Sequence, residues 1–392
     1  MKIKVLEIIR GLDIGGDSGG AELFGIKLAR KLNEIPQCEV WICAFFSVGT
    51  KTENNWLDKL NDEGIKTFFV SEWGGTNNIK KFTKGIINLL RVIKDEKFDV
   101  AHSHFQLGTL VAVILKLLRY SKTSYRTAHI RKEWDYGKWT WILSPFFIKR
   151  IFPSYLNGEV GVSKAVCDYL QDRRPGKIDQ SKIHLIYNGI DVDDILNQNN
   201  KAIDINDPAN NKQNQFIIGC VGRLTEQKGY PYIFQAIPEI IKYIPNCFLQ
   251  IAGDGELREE LIKQVNQLGI TNYVAFLGLR KDVPSLMRQW KIFVLPSLWE
   301  GLPTVVMEAM VCEVPVIATD IPGTNELVLN NETGLLIPEK DPNSLAQAIV
   351  KISSNDELRT RIIKNARHHV INFSMQSIAS QYYQLFILNI DK

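Results

Sequence analysis

The chain lacks an apolar run long enough to cross a bilayer. Its longest, LVAVILKLL at 110–118 and WTWILSPFFI at 139–148, fall short of the roughly 20 residues a spanning helix needs, so no transmembrane helix is predicted. No secretory leader is expected either. The apolar stretch in MKIKVLEIIRGLDIGG is short, is interrupted by Glu7 and runs into a glycine loop, and a cytoplasmic location is expected. Cysteine is sparse: six are scattered with no CxxC pair, which reads as reduced core thiols rather than disulfides or zinc ligands. No strong excess of one charge is present either, with 47 basic against 43 acidic residues. A slightly acidic second half and no reader motif argue against nucleic-acid binding.

What is present is an ordinary globular composition, 45% hydrophobic and 23% charged over 392 residues, too long for one core and suited to two domains. The small net charge conceals an asymmetry. Residues 116–182 carry 14 Lys and Arg against 6 acids, which suggests an anionic partner for the first half or a merely solvated face. Short apolar runs alternate with amphipathic stretches (IKVLEII, CEVWICAFF, DVAHSH, TSYRTAHI, GEVGVS), a rhythm that predicts parallel βαβ units. A polar tract rich in Asn, Asp, Gln and Lys breaks it, and the rhythm restarts with FIIGCVG, CFLQIAGDG, YVAFLG, IFVLP, PVIAT and TGLLIP. The expectation is an N-terminal domain over 1–195, a linker over 196–214, a second doubly wound domain over 215–372, and a C-terminal helix over 373–392 that packs back on the first domain. In such sheets ligands bind beyond the carboxyl ends of the strands.

Four loops there carry chemistry. GLDIGGDSGGAEL places Gly19 and Gly20 just before a helix N-terminus, where backbone N–H groups suit an anion; a flexible loop is the plain alternative, since the spacing is not that of dinucleotide binders. CVGRLTEQKGY places Arg223 and Lys228 after Gly222, two cations able to offset charge developing on a leaving diphosphate. IAGDGELREEL, with Gly253 and Asp254, reads as mainly architectural. PSLWEGLPTVVMEAM holds Glu300 on a strand-to-helix loop and Glu308 inside the following helix, carboxylates suited to the hydroxyls of a ribose or hexose. An acid amid Val305, Val306, Met307, Ala309 and Met310 is not expected to be a bystander. The segment RKEWDYGKWTWILSPFFIKRIFPSY mixes aromatics with Lys and Arg, which suits a bilayer interface or a buried helix pair equally.

GGAE, HSH at 102–104, GRLTEQKG, AGDGE and E-x7-E, in this order over nearly the whole chain, resemble family 4 of the retaining glycosyltransferases, in particular enzymes of exopolysaccharide, capsule or lipopolysaccharide synthesis. The resemblance implies a GT-B fold, two Rossmann-like domains facing a central cleft, with donor bound by the second and acceptor by the first. It implies transfer of a hexose from a UDP- or GDP-linked donor to a glycan or lipid-linked hydroxyl, without a metal or other cofactor, by an enzyme in possible peripheral contact with anionic membrane. Arg223 and Lys228 would hold the diphosphate, Glu308 the ribose, and Glu300 the donor sugar. The amides near Gly301 and Leu302 would assist, with Gly19, Gly20, Gly222 and Gly253 close to the donor. His104 would orient the transferred sugar; on the reading that only one of His102 and His104 can face the ligand, His104 is favoured. His129 and Arg131 are acceptor-side candidates. Asn188 and Asp191 match the family's interdomain segment, a position that argues against reading the Asp-Val-Asp at 191–193 as a metal site. Two departures stand out: Pro303 where many relatives have a glycine-containing EGFG, and Glu313 where many have glycine. The rival readings are a sugar-nucleotide epimerase or hydrolase of the same fold and a non-catalytic nucleotide-sugar-binding scaffold.

Overall fold

The computed structural model describes residues 2–13, 20–72, 79–129, 150–173, 179–197, 215–388 and 390. The chain divides into two units, Met1–Gly189 with Met375–Lys392, and Ile190–Ser374. The division falls ahead of the expected boundary at 195 because Ile190 forms a parallel bridge with Ser374 and its N–H donates to the Phe373 carbonyl. Residues 190–197 therefore go with the second unit. Most of the expected linker, 198–214, lies outside the described residues.

The first unit is a seven-stranded parallel sheet in the order β3-β2-β1-β4-β5-β6-β7, formed by Ile3–Ile9 (β1), Cys38–Ser47 (β2), Lys66–Glu72 (β3), Phe98–Ser103 (β4), Ser121–Ala128 (β5), Gly158–Gly161 (β6) and Ile183–Leu185 (β7). Parallel strands covered on both faces read as nearly continuous apolar runs. In β1 the period of two sends Val5 and Ile9 to one face and Leu6 and Ile8 to the other, into separate cores. Glu7 shares the face of Val5 and Ile9, which is covered by the helices Gly20–Asn33 and Met375–Ile387.

The second unit is a six-stranded parallel sheet, β10-β9-β8-β11-β12-β13, from Phe216–Val221 (β8), Cys247–Ala252 (β9), Val274–Gly278 (β10), Ile292–Leu295 (β11), Val316–Thr319 (β12) and Leu335–Ile337 (β13). Its helices start where the sequence places caps. Asp341 accepts from the N–H groups of Asn343 and Ser344 with Pro342 at the first helical position, and Asn355 caps Asp356–Val370 through the Leu358 N–H. In both sheets the strand order reverses beside the first strand of the unit, between β1 and β4 and between β8 and β11, the switch points where crevices open in doubly wound sheets.

Glu313 sits in the left-handed region at φ 60°, in the tight turn between the helix Thr304–Val311 and β12. Its side chain pairs with Arg367 on an exposed surface, and exposed pairs contribute little. Glu313→Gly is therefore expected to raise stability by about 0.5–1 kcal/mol by removing the steric cost of a Cβ at positive φ. Chemical denaturation of the variant would check this, and a loss of stability would contradict it.

All six cysteines are buried free thiols; burial pushes Cys38 up to about 12 and Cys247 up to about 11. Among the described residues no helix is long and apolar enough to cross a membrane.

Candidate active site

In the second unit the loops after β8 and β11 are stapled to each other. The Leu298 N–H donates to the Gln227 carbonyl at 2.8 Å, and Gln227 Nε2 donates to the Trp299 carbonyl at 2.9 Å. Lys228 Nζ donates to Glu300 Oε1 at 2.6 Å, and Ser297 Oγ donates to the same oxygen at 2.7 Å. Ser297 is held in turn by Thr319 Oγ1, which donates to its carbonyl at 2.5 Å. Glu300 is buried and Lys228 nearly so, so the pair has little water to screen it and each member fixes the other. Gln227 Nε2 also approaches Glu300 Oε2 at 3.4 Å; that oxygen is the less heavily bonded of the two.

This close approach depends on Gly229, whose φ of 62° lies in the left-handed region. A Cβ there would stand 2.1 Å from the Pro296 carbonyl oxygen. Gly229 ends the short 3₁₀ turn Glu226–Lys228 and opens the helix Tyr230–Tyr243, so one residue sets the direction of both. Gly222 and Gly253 are back to back, a Cβ on Gly253 falling 2.0 Å from the Gly222 carbonyl oxygen, and Leu224 is pinned in the core with its N–H on the Asp254 carbonyl. The AGDGE loop is thus architectural: it holds the GRLTEQKG loop in place.

The structure brings Gly222, Lys228, Gly253 and Glu300 into this assembly. Arg223 is exposed on the same loop, and the two cations are not joined to each other: Lys228 is on Glu300. Gly301 and Leu302 are buried just before the helix Thr304–Val311, where Pro303 occupies the cap position and its carbonyl accepts the Val306 N–H. Glu308 is half-buried in that helix, flanked by buried Met307 and Ala309. Gln227, Ser297 and Thr319 were not singled out from sequence, because short polar residues next to a motif carry no spacing signal of their own.

In the first unit the site is a hydrogen-bonded row across three adjacent strands. Glu7 and His102 are direct register partners of β1 and β4, and Glu7 is fully buried. His102 Nδ1 lies 2.9 Å and His104 Nε2 2.9 Å from Glu7 Oε2. His102 Nε2 lies 2.8 Å from Thr127 Oγ1, which is 2.8 Å from Tyr382 Oη. His104 Nδ1 lies 3.2 Å from His129 Nε2, and the Asn188 side chain bonds the His129 ring. Gly25 lets the covering helix approach, since a Cβ there would be 3.0 Å from the His104 ring. An isolated ionised carboxylate at this depth would cost several kcal/mol. Burial does push Glu7 up, but His102 and His104 outweigh it and bring the group down to about 2. Burial and the neighbouring His102 hold His104 below its ordinary value, and burial and His104 hold His129 well below.

The expectation that only one of His102 and His104 faces the ligand side is corrected. Residues two apart share a face of a strand, and the two rings lie 4.5 Å apart on one carboxylate. His104 is not an open ring either, because both nitrogens are engaged. Glu7, noticed from sequence only as a break in an apolar run, is the hub. Glu7, His102 and His104 are residue types that also ligate metals, with donor atoms within 4.8 Å of one another; those atoms are occupied by hydrogen bonds within the cluster. Asp191 Oδ1 accepts the Asp194 N–H at the start of the helix Val192–Asn197, which accounts for it as a helix cap. Gly20 is exposed at the start of its helix. Gly19 and Arg131 lie outside the described residues, as does the aromatic and basic segment up to residue 149. A groove of about 1120 Å³ along β7 and the C-terminal helix, lined by Lys116, His184 and Gln381 among others, contains none of the expected site residues.

Residues 18–194 match the family described as Glycosyltransferase Family 4, and residues 202–369 match Glycosyl transferases group 1. The chain is a glycosyltransferase of this family. The transferase is 29% identical over 327 residues to the UDP-Gal:alpha-D-GlcNAc-diphosphoundecaprenol alpha-1,3-galactosyltransferase of Escherichia coli, spanning 82% of this chain and 83% of that one. It is 25% identical over 332 residues to the putative glycosyltransferase EpsF of Bacillus subtilis, spanning 81% and 79%. Among solved structures it resembles sucrose-phosphate synthase from Thermosynechococcus elongatus (TM-score 0.78, 19% identity, 99% of each chain). It also resembles Anabaena HepE in complex with UDP and glucose (TM-score 0.75, 20% identity, 98% and 99%). At these identities the likeness is one of fold, and the two parallel-sheet units of the transferase are those of the GT-B fold.

Proposed function

We propose that the transferase moves a hexose from a nucleoside diphosphate sugar to a hydroxyl of a glycan or lipid-linked acceptor, with retention at the anomeric carbon, in the synthesis of a cell-surface polysaccharide. The observation that carries this reading is the stapled pair of loops in the second unit, where Lys228 and Glu300 are locked side by side at the switch point of the sheet. Lys228 and exposed Arg223 supply positive charge for a diphosphate, which gains negative charge as its bond to the sugar breaks. Glu300, with one oxygen tied down, offers the other to sugar hydroxyls, and Glu308 offers a carboxylate to the ribose. Gly301 and Leu302 contribute amides near a helix N-terminus. Two cations do the work a divalent ion does in other transferases, so the reaction is expected to need no metal. The named acceptor of the Escherichia coli relative, a diphosphoundecaprenol-linked GlcNAc, supports a lipid-linked acceptor here and, with the basic excess at 116–182, peripheral contact with anionic membrane.

A screen of UDP-, GDP- and ADP-sugars by thermal shift, followed by transfer to a diphosphate-lipid-linked sugar in the presence of EDTA, tests the reading. Acceptor-dependent release of nucleoside diphosphate and a product of retained anomeric configuration are expected. Donor consumption without acceptor would instead indicate an epimerase or hydrolase, and an inverted product would remove the retaining assignment.

A further inference from the structure

The loop GRLTEQKGY is closed end to end by one hydrogen bond. Tyr230, the first residue of the helix Tyr230–Tyr243, donates from Oη to the Gly222 carbonyl at 2.9 Å. Its ring is buried in the core of the second unit, and burial above all pushes the phenol well above its ordinary value, so the hydroxyl keeps its proton and the bond runs one way. A phenylalanine would fill the same space. What the hydroxyl adds is a fixed direction for one backbone carbonyl.

The N–H and the carbonyl of Gly222 both lie on the β9 side of β8. The N–H donates to the Ala252 carbonyl at 3.1 Å, continuing the β8–β9 ladder by one residue, and the carbonyl oxygen sits against Gly253, where a Cβ would stand 2.0 Å from it. In a trans peptide the carbonyl and the N–H that follows it point in opposite directions. The Arg223 N–H is thereby turned to the other side of β8, where β11 lies. Pairing of β8 with β11 has ended by then, at Gly219 and Phe293, so this N–H faces the switch point and meets no acceptor among the described residues. Lys228 borders the same peptide. A Cβ on Gly222 would stand 3.0 Å from Lys228 Cε, which lays the lysine stem across the glycine and brings its ammonium to Glu300.

We propose that Tyr230 is a positioning residue: by holding the Gly222 carbonyl on the β9 side it keeps the Arg223 N–H turned into the switch point, as a third donor to the diphosphate beside Lys228 and the Arg223 guanidinium. This rests on the reading that the loop pair receives a nucleoside diphosphate. The backbone donor differs from the two side chains because its peptide is anchored and cannot swing away. A hydrogen bond from such a fixed N–H to a phosphate oxygen strengthens as the leaving group gains charge, with no reorganisation needed at that moment.

Gly222-Arg223 is the only Gly-Arg pair in the chain, so labelling with ¹³C-carbonyl glycine and ¹⁵N-arginine leaves one NMR signal that reports the carbonyl and the N–H of this peptide. The full chain is titrated with UDP, GDP and ADP in turn. In the wild type the amide proton is expected to move downfield as a nucleotide binds, the direction of a new hydrogen bond. In Tyr230→Phe the free protein should show the carbonyl signal moved upfield by loss of its donor, and the downfield response of the amide should fall away. Calorimetry on the folded variant should show the diphosphate bound about tenfold more weakly, the worth of one hydrogen bond to a charged group. The variant also melts lower, because a buried carbonyl loses its partner, and that loss is read separately. A wild-type amide that stays in place while a nucleoside diphosphate binds would overturn the proposal even if the variant does not fold. So would wild-type affinity or an intact downfield response in Tyr230→Phe, the result expected of a tyrosine that only braces the fold. If none of the three nucleotides binds the wild type, the diphosphate reading falls and this proposal with it; if one binds and the amide is unmoved, this proposal alone falls.

Discussion

Lys228→Ala is expected to lower kcat/KM by about 10²- to 10³-fold, the usual loss when one electrostatic contact to developing charge is removed. Two effects add here. The leaving diphosphate loses a cation, and Glu300 loses its 2.6 Å partner, so a buried carboxylate is left with Ser297 and a weak contact to Gln227. Removal of one member of a buried pair costs more than the pair contributes, and some loss of stability accompanies the loss of rate. The two are separable. Lys228→Arg keeps the charge and the contact with Glu300, and is expected to regain much of the stability but less of the rate, since a planar fork does not replace a point charge on the same stem. Steady-state kinetics beside thermal melts of both variants checks this. Wild-type kcat/KM in Lys228→Ala would remove Lys228 from the reaction.

The second large effect is expected from a residue with no functional group. Gly229→Ala places a methyl 2.1 Å from the Pro296 carbonyl oxygen at a φ of 62°. Left-handed backbone costs a non-glycine residue about 1–2 kcal/mol, and the clash adds to it because the contact is with backbone, which cannot rotate away. A total of about 3 kcal/mol corresponds to a fall in Tm of roughly 6–12 °C for a unit of this size. Because Gly229 seats the Gln227 and Lys228 staple on the loop that carries Glu300, activity should fall by more than the unfolded fraction explains. A melt indistinguishable from wild type would show that the loop relaxes and that the close approach is not obligatory.

The fold was largely legible because parallel strands buried on both faces spell themselves out as short apolar runs, and FIIGCV, CFLQIA and IFVL are such runs. The loops after them were legible for the same reason: glycines and charges stand out against an apolar strand, and Gly222, Lys228 and Glu300 lie on loops at the carboxyl ends of β8 and β11. Their mutual geometry was not. Lys228 and Glu300 are 72 residues apart, Glu7 and His102 95 apart, and no local periodicity encodes a pairing set by strand order. Glu7 is the sharpest case. A lone acid in an apolar run looks like an interruption until β4 is laid beside β1, when the register puts a histidine opposite it. The misjudged face of His102 and His104 was avoidable, since strand alternation alone places residues two apart together. Thr127 and Tyr382 carried no signal, because a hydroxyl in a strand and a tyrosine in an amphipathic helix are ordinary.

The loop pair built on Lys228 and Glu300 is expected to receive the diphosphate of the donor. Calorimetric titration of wild type and Lys228→Ala with a nucleoside diphosphate and the matching monophosphate tests it without an acceptor or a known sugar. Wild type is expected to bind the diphosphate at least about tenfold more tightly, one favourable charge contact being worth roughly 1.4 kcal/mol or more, and Lys228→Ala to lose most of that preference while binding the monophosphate nearly unchanged. An equal preference for the diphosphate in both proteins would contradict it.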